Sequence, residues 1–161
     1  MTTTGIPSFR PTLMGSTHAV STGHYLATAA GYQILEQGGN ATDAGVAAGI
    51  SLNVVLPSST SFGGVAPILI YSAHQNRVES ISGLGRWPRA ASREHFVKNR
   101  NGTIPQGVER MVVPAAASAW MTALIEHGTM SFEQVVTPAL GYARDGIAVG
   151  DVLAKSMASF A

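Results

Sequence analysis

The chain has no cysteine. Neither a disulfide framework nor a thiolate metal site can form. Charge is scarce as well. Asp, Glu, Lys and Arg make up 12% of the 161 residues, about half the roughly 25% of ordinary globular chains. The formal net charge is +1. No basic block and no interleaving of aromatic and basic residues is present, which argues against nucleic acid as a partner. Long hydrophobic runs are missing too. A membrane span needs about 20 apolar residues. The best run, Val112 to Ile125, is shorter and contains Pro114, Ser118 and Thr122, and Asp43 interrupts the other small-residue run. Mean hydropathy is nonetheless positive. An apolar chain that cannot cross a membrane is expected to bury surface against another chain. Residues 1–22 hold no signal-peptide core, so the expected location is cytoplasmic. Residues 1–14 read as a flexible leader, and 15–161 as one domain that is incomplete without a partner chain.

Local signals are dense from residue 18 onward. His18 to Ser21 reads as a short strand. Tyr25 to Gln37 reads as a helix with Leu26, Ala29, Ala30 and Ile34 on one apolar face, stopped at Gly38-Gly39. Asn40 or Thr42 caps a second helix to about Val55. Its Ala44, Gly45, Ala47, Ala48 and Gly49 invite close approach by another backbone, and Pro57 ends it. Ile68–Tyr71, apolar on both faces as for a buried strand, and Arg77–Ser82 read as a hairpin of central strands. Ser92 caps a short helix to about Asn99. Arg110 to Val113 reads as a strand. Ala115 to His127 reads as a helix burying Trp120, Met121 and Leu124. Ser131 to Gln134 is a capping box, Thr137-Pro138 restarts a helix with proline first, and Gly146 ends it. Strands and helices mix without a βαβ rhythm, so the expected class is α+β.

Three blocks of this sequence carry a family resemblance. Gly38-Gly39-Asn40-Ala41-Thr42-Asp43-Ala44-Gly45-Val46-Ala47, followed by Val55 to Pro67 (VLPSSTSFGGVAP), forms the first. Gly83-Leu84-Gly85-Arg86-Trp87-Pro88 forms the second. Val113-Pro114-Ala115, Gly128 to Phe132 and Pro138 to Val149 form the third. In this order and spacing they resemble the large-subunit start of the gamma-glutamyltransferase family of N-terminal-nucleophile hydrolases. The resemblance implies a four-layer αββα fold completed by a second chain. It implies a threonine nucleophile at the start of that small-subunit chain, beyond residue 161, and no cofactor. No catalytic residue is expected in this chain. Transferases of the family place an arginine four residues before a proline, and here that position is Leu84. An isobutyl group cannot replace a guanidinium fork that pairs a carboxylate. The segment is instead similar to the GxGRxP form of amidohydrolase-like members, with Arg86 two residues later.

The candidate substrate-binding residues are therefore Arg86, Trp87, Ser61, Gly63 and Gly64. Each has a structural alternative. Arg86 reads carboxylates or forms an ion pair; Trp87 lines a pocket or plugs a packing gap. Ser59, Thr60 and Ser61 offer hydroxyls or satisfy a turn. Gly63-Gly64 approaches substrate or simply turns the chain. Asp43 reads as structural, satisfied by neighbouring backbone or a partner. The five histidines show no ligand spacing, so no metal is expected, and no phosphate loop or dinucleotide fingerprint is present. Asn40-Ala41-Thr42 and Asn101-Gly102-Thr103 match the glycosylation pattern, which matters only in a secreted protein. The expected function is hydrolysis of a small amide by a self-processing amidohydrolase to which this chain contributes a large-subunit segment. Two alternatives stand beside it: a true gamma-glutamyl transferase or hydrolase, and a truncated non-catalytic chain that binds or assembles.

Overall fold

The computed structural model describes residues 12–158. Most of the expected leader lies outside these residues; Leu13 and Met14 are exposed and irregular. The elements run α1 (Tyr25–Glu36), α2 (Ala41–Val55), β1 (Ile68–Ser72), β2 (Arg77–Ile81), α3 (Arg93–Arg100), α4 (Ala116–His127), α5 (Phe132–Asp145) and α6 (Asp151–Ala158), with a single 3-10 turn at Val108–Arg110. This is an α+β chain in which α2 is the central element. It packs against α1, α4 and α5, and the antiparallel β1–β2 hairpin lies beside it.

Small residues make α2 central. Gly31 of α1 faces it so closely that a Cβ would lie 3.0 Å from the Ala44 carbonyl and 3.3 Å from the Ala48 Cβ. A Cβ on Gly49 would lie 3.1 Å from Trp120 Nε1 on α4. The close approach expected from the sequence is therefore present, although Gly45 faces open space. The buried stripe of α1 is Ala27, Ala30, Gly31 and Ile34, a clean helical spacing. Ala29 is exposed, so the expected face was rotated by a fraction of a turn. On α4, Ala119 and Ala123 join Trp120 and Leu124 inside, while Met121 is partly exposed.

The N-terminus of α2 is densely hydrogen-bonded. Asn40 Oδ1 accepts from the Thr42 and Asp43 amides at 2.8 and 3.0 Å, and Asp43 Oδ2 accepts from the Asn40 amide at 2.9 Å. This is a reciprocal capping box. Asp43 is fully buried, and its carboxylate also accepts from the Thr129 amide at 3.0 Å, the Thr129 hydroxyl at 2.6 Å and the Met130 amide at 3.3 Å. Asn40 Nδ2 donates to the His127 carbonyl at 2.6 Å. Two side chains thus close α2 at its start and fasten it to the turn between α4 and α5. Gly128 allows this, because a Cβ there would lie 2.8 Å from Asp43 Oδ1. The structural reading of Asp43 is what the geometry shows.

Four expectations are corrected. His18 to Ser21 has no ladder partner among the described residues and is not a strand. Arg110 to Val113 is not a strand either: the Arg110 and Met111 amides close the 3-10 turn on Gly107 and Val108, and only the Val113 amide reaches another segment, donating to the Arg86 carbonyl at 3.0 Å. Pro138 does not start a helix. It lies inside the continuous α5, buried against the core. Proline there forfeits one helical bond and crowds the preceding turn. Thr137 Oγ1 donates to the Glu133 carbonyl at 2.7 Å in that same turn, and the Ser131–Gln134 capping box, with Ser131 as N-cap, fixes the helix start at Phe132. The hairpin is not buried on both faces. Ile68, Ile70 and Ile81 turn to the helices, whereas Leu69, Tyr71 and Val78 on the other face are 77%, 62% and 64% exposed. Strand alternation sends neighbouring side chains to opposite faces, and the described helices cover only one.

Asp43→Ala removes the acceptor for three backbone amides and one hydroxyl. It is expected to destabilise the protein by about 3 kcal/mol, the upper end for orphaned buried donors. Asp43→Asn, which keeps one acceptor oxygen, is expected to lose less. Urea unfolding of the isolated protein checks both; a loss below about 1 kcal/mol for Asp43→Ala contradicts the account.

Candidate functional site

Three segments converge at the end of the hairpin where β1 begins and β2 ends. The first is the loop Pro57–Pro67. It is wound tight by the Ser59 and Thr60 amides, both bonded to the Leu56 carbonyl, and by the Gly64 amide on the Ser61 carbonyl at 3.0 Å. The second is Gly83–Pro88. The third is Met111–Ala116. Backbone bonds tie them together. The Ala66 amide donates to the Gly83 carbonyl at 3.0 Å, and the Val113 amide donates to the Arg86 carbonyl at the same distance. The Ala115 and Ala116 amides both donate to the Gly64 carbonyl at 3.2 Å. That last pair matters for α4, whose first residue lacks any side-chain cap. The Gly64 carbonyl takes the part of the missing cap for its orphan amides.

Two glycines of the second segment are required by their surroundings. Gly83 has φ +54°, and a Cβ there would lie 1.9 Å from the Ala66 carbonyl oxygen. A Cβ on Gly85 would lie 1.4 Å from the Val113 carbonyl oxygen. Without side chains at 83 and 85, this segment slides between the other two and delivers Arg86 to the surface. The Gly63 and Gly64 positions are different. Neither has positive φ, and a Cβ on Gly64 would meet the Ser61 carbonyl at 3.1 Å. The plain-turn reading accounts for Gly63, and carbonyl placement accounts for Gly64.

Arg86 is exposed, and its guanidinium has no hydrogen bond or ion pair among the described residues. The ion-pair alternative therefore has no partner among them. Leu84 is 58% exposed beside it. Trp87 packs on Phe96 of α3 with ring centroids 5.4 Å apart and is 38% exposed, so one face is plugged and the other is open. Ser61 and Gly64 line a cleft of about 550 Å³ bounded by the C-terminal half of α2, the Pro57–Ala66 loop and Trp120. Arg86, Trp87 and Gly63 do not line it. Phe62 stands edge-on to Trp120 at 5.2 Å. Composition and motif reading missed Asn53 and Trp120 as cleft residues; a lone amide inside the apolar run Ile50 to Val55 was the available signal. No group of three or more acidic or histidine side chains suited to a metal occurs among the described residues.

The 3-10 turn that leads into the third segment is anchored from α3. Arg100 Nε and Nη2 donate to Glu109 Oε2 and Oε1 at 2.9 and 2.8 Å, and His95 Nε2 lies 3.3 Å from Glu109 Oε1. The bond from Arg100 holds the Glu109 carboxyl below its ordinary range, with a smaller contribution from His95, and the same bond raises Arg100.

The family model described as gamma-glutamyltranspeptidase matches residues 27–161. Among curated relatives, the glutathione hydrolase-like YwrD proenzyme of Bacillus subtilis is 34% identical over 138 residues, covering 85% of this chain and 26% of its own length. Among solved structures, the gamma-glutamyltranspeptidase of Helicobacter pylori superposes with a TM-score of 0.78 at 26% identity, covering 92% of this chain and 44% of that one. The cephalosporin acylase of Bacillus halodurans superposes at 0.70 with 33% identity, covering 81% and 24%. The chain spans about a quarter of the length of the curated relatives it matches.

Gly85→Ala forces a side chain onto the Val113 carbonyl, so it is expected to separate the second and third segments. Loss of amide protection at Val113 in hydrogen exchange checks this; unchanged protection contradicts it. The Glu109 clasp has a pH signature. A carboxyl whose folded pKa is depressed stabilises above its unfolded value, about 4.3, and loses that contribution as pH falls through the lower folded value. Proteolysis at residues 101–107 is therefore expected to rise below about pH 4, and Glu109→Gln to show that susceptibility already at neutral pH. Equal resistance of both proteins across pH 3 to 7 contradicts the clasp.

Proposed function

The chain belongs to the gamma-glutamyltranspeptidase family, and on that premise we propose that it is a large-subunit segment of a self-processing amidohydrolase that cleaves a small amide bearing a carboxylate. The observation that carries the reading is Arg86: a cation without a partner among the described residues, delivered to the surface by two glycines at which a side chain would have no room. Arginine is the side chain best shaped to take a carboxylate in two parallel hydrogen bonds. Its place in Gly83-Leu84-Gly85-Arg86-Trp87-Pro88 is that of the amidohydrolase-like members, and the likeness to a cephalosporin acylase supports the same side.

The architecture proposed is the four-layer αββα arrangement of N-terminal-nucleophile hydrolases, completed by a second chain that begins with threonine. The exposed apolar face of the hairpin supports this, because Leu69, Tyr71 and Val78 in a row are poor solvent-facing residues. So does the word proenzyme in the name of the Bacillus subtilis relative. In this mechanism the threonine amine takes the proton of its own hydroxyl as the oxygen attacks the substrate carbonyl. Backbone amides hold the resulting oxyanion. The C–N bond breaks, the amine leaves with the proton, and water then cleaves the acyl-enzyme to release the acid. Arg86 contributes position: it fixes the carboxylate end so that the scissile carbonyl meets the nucleophile.

A second reading, hydrolysis or transfer of a gamma-glutamyl group, is favoured by the likeness to the Helicobacter pylori gamma-glutamyltranspeptidase and the glutathione hydrolase-like relative. Leu84 at the position of the transferase arginine speaks against it.

In the complete processed protein, Arg86→Ala is expected to raise KM for carboxylate-bearing amides about tenfold to a hundredfold, the range for a lost charge-assisted pair, and to leave neutral amides nearly unchanged. Comparing a gamma-glutamyl anilide with simple acyl anilides in the same assay separates the two readings. Strong preference for the gamma-glutamyl anilide, with no effect of Arg86→Ala, contradicts the proposal.

A further inference from the structure

Charge is scarce in this chain and unevenly placed. Of its ten lysines and arginines, five lie between residues 86 and 100: Arg86, Arg89, Arg93, Lys98 and Arg100. Glu94 is the only acid in that stretch, and Lys98 holds it at 2.6 Å. Arg100 is held by Glu109 at 2.8 Å. Arg86, Arg89 and Arg93 remain. All three are exposed, and none has a hydrogen bond or ion pair among the described residues. Spaced three and four apart, they form no basic block in the sequence; the fold gathers them. The Ala91 amide donates to the Pro88 carbonyl at 2.9 Å, closing a turn with Arg89 at its second position. The Ser92 cap starts α3 directly afterwards, and Phe96 of that helix meets Trp87 at 5.4 Å between ring centroids. Arg86 adjoins Trp87 in the chain. Arg93 precedes Phe96 by three residues, which puts those two on one side of α3. Each ring thus has an arginine close by along its own segment, and the third sits on the turn between them. Chain length alone keeps neighbours among the three within about 14 Å, Cα to Cα.

Three uncompensated cations raise the local concentration of anions. A guanidinium fork takes a carboxylate in paired hydrogen bonds. A single carboxylate satisfies one fork and leaves two. An extended peptide advances about 3.3 Å per residue, so about four to six acidic residues cover the patch. Such a chain also supplies amide bonds, the group that the proposed activity cleaves. We infer that Arg89 and Arg93 extend the Arg86 position into a track for a row of carboxylates, so that the preferred substrate is an acidic oligopeptide rather than an amide with one carboxylate. The inference rests on the proposed reading of Arg86. Arg89 and Arg93 set specificity in it and touch no reacting atom.

Calorimetric titration of the complete processed protein with N-acetylated oligoglutamates of one, two, four and six residues tests it without relying on turnover. Exposed ion pairs are worth about twofold to fivefold each. The hexamer is therefore expected to bind about tenfold more tightly than the single residue, and the gain to shrink as salt rises. Arg89→Gln and Arg93→Gln are each expected to remove part of that gain, and the double variant to bring all lengths level. Arg144→Gln removes an exposed cation on α5 and is expected to change nothing. Arg86→Ala is expected to weaken every length, the single residue included. If it changes nothing while the Arg89 and Arg93 variants behave as stated, the reading of Arg86 fails and the track stands. A hexamer that binds no tighter than the single residue overturns the inference. So does an Arg144→Gln protein that loses as much affinity as Arg93→Gln, which marks diffuse attraction to net charge. Inorganic polyphosphate of equal charge binding as tightly as the hexamer overturns the carboxylate assignment. Release of the second chain from the double variant also overturns the inference, because the patch then holds the partner chain.

Discussion

A single buried carboxylate organises this chain. Asp43 stands in the first turn of α2, where negative charge suits the helix dipole, and it accepts hydrogen bonds both from Asn40 in its own cap and from Thr129, 86 residues away in sequence. Asn40 completes the cap and holds the last carbonyl of α4. The direction of α2, the end of α4 and the start of α5 are therefore set together. The small-residue face of α2 can then meet α1 on one side and Trp120 on the other. A carboxylate costs much to bury alone; here four donors offset that cost, and the geometry they demand fixes how the helices join.

The far end of α2 depends on the same arrangement. Trp120 is held against Gly49, and α4 begins where the Gly64 carbonyl meets its first amides. The loop after α2 is thus both the cap of α4 and the neighbour of Gly83–Arg86. A backbone carbonyl, two obligatory glycines and one backbone bond at Val113 bring the Pro57–Pro67 loop and the Arg86 segment to one edge of the hairpin. The frame around Leu84 and Arg86 is built almost wholly from main-chain contacts.

Much of this was legible in the residues. Asn40, Ser92 and Ser131 cap helices because their short polar side chains sit before apolar-periodic runs, and Gly128 and Gly146 stop helices in the positions expected. The hairpin was visible from its turn and its β-branched flanks. The errors share one cause, which is dependence on tertiary context. Pro138 looked like a helix start, but the capping box that begins at Ser131 had already set the register. His18 to Ser21 and Arg110 to Val113 have strand-like composition but no ladder among the described residues. The outward face of the hairpin could not be told from an inward one by composition, since Leu69, Tyr71 and Val78 are as apolar as the residues that face the core. At the site, the sequence pointed to Arg86 and Ser61 through the resemblance. That Arg86, Arg89 and Arg93 gather about one turn became visible only once their neighbours were placed.

The central claim is that this chain forms one part of a processed N-terminal-nucleophile hydrolase. Intact mass measurement of every chain in the purified native protein, joined to N-terminal sequencing, tests it most directly. The account predicts a second chain whose first residue is threonine, recovered together with the chain described here. A single uncut polypeptide that hydrolyses amides at full rate, or a second chain beginning with another residue, would contradict it.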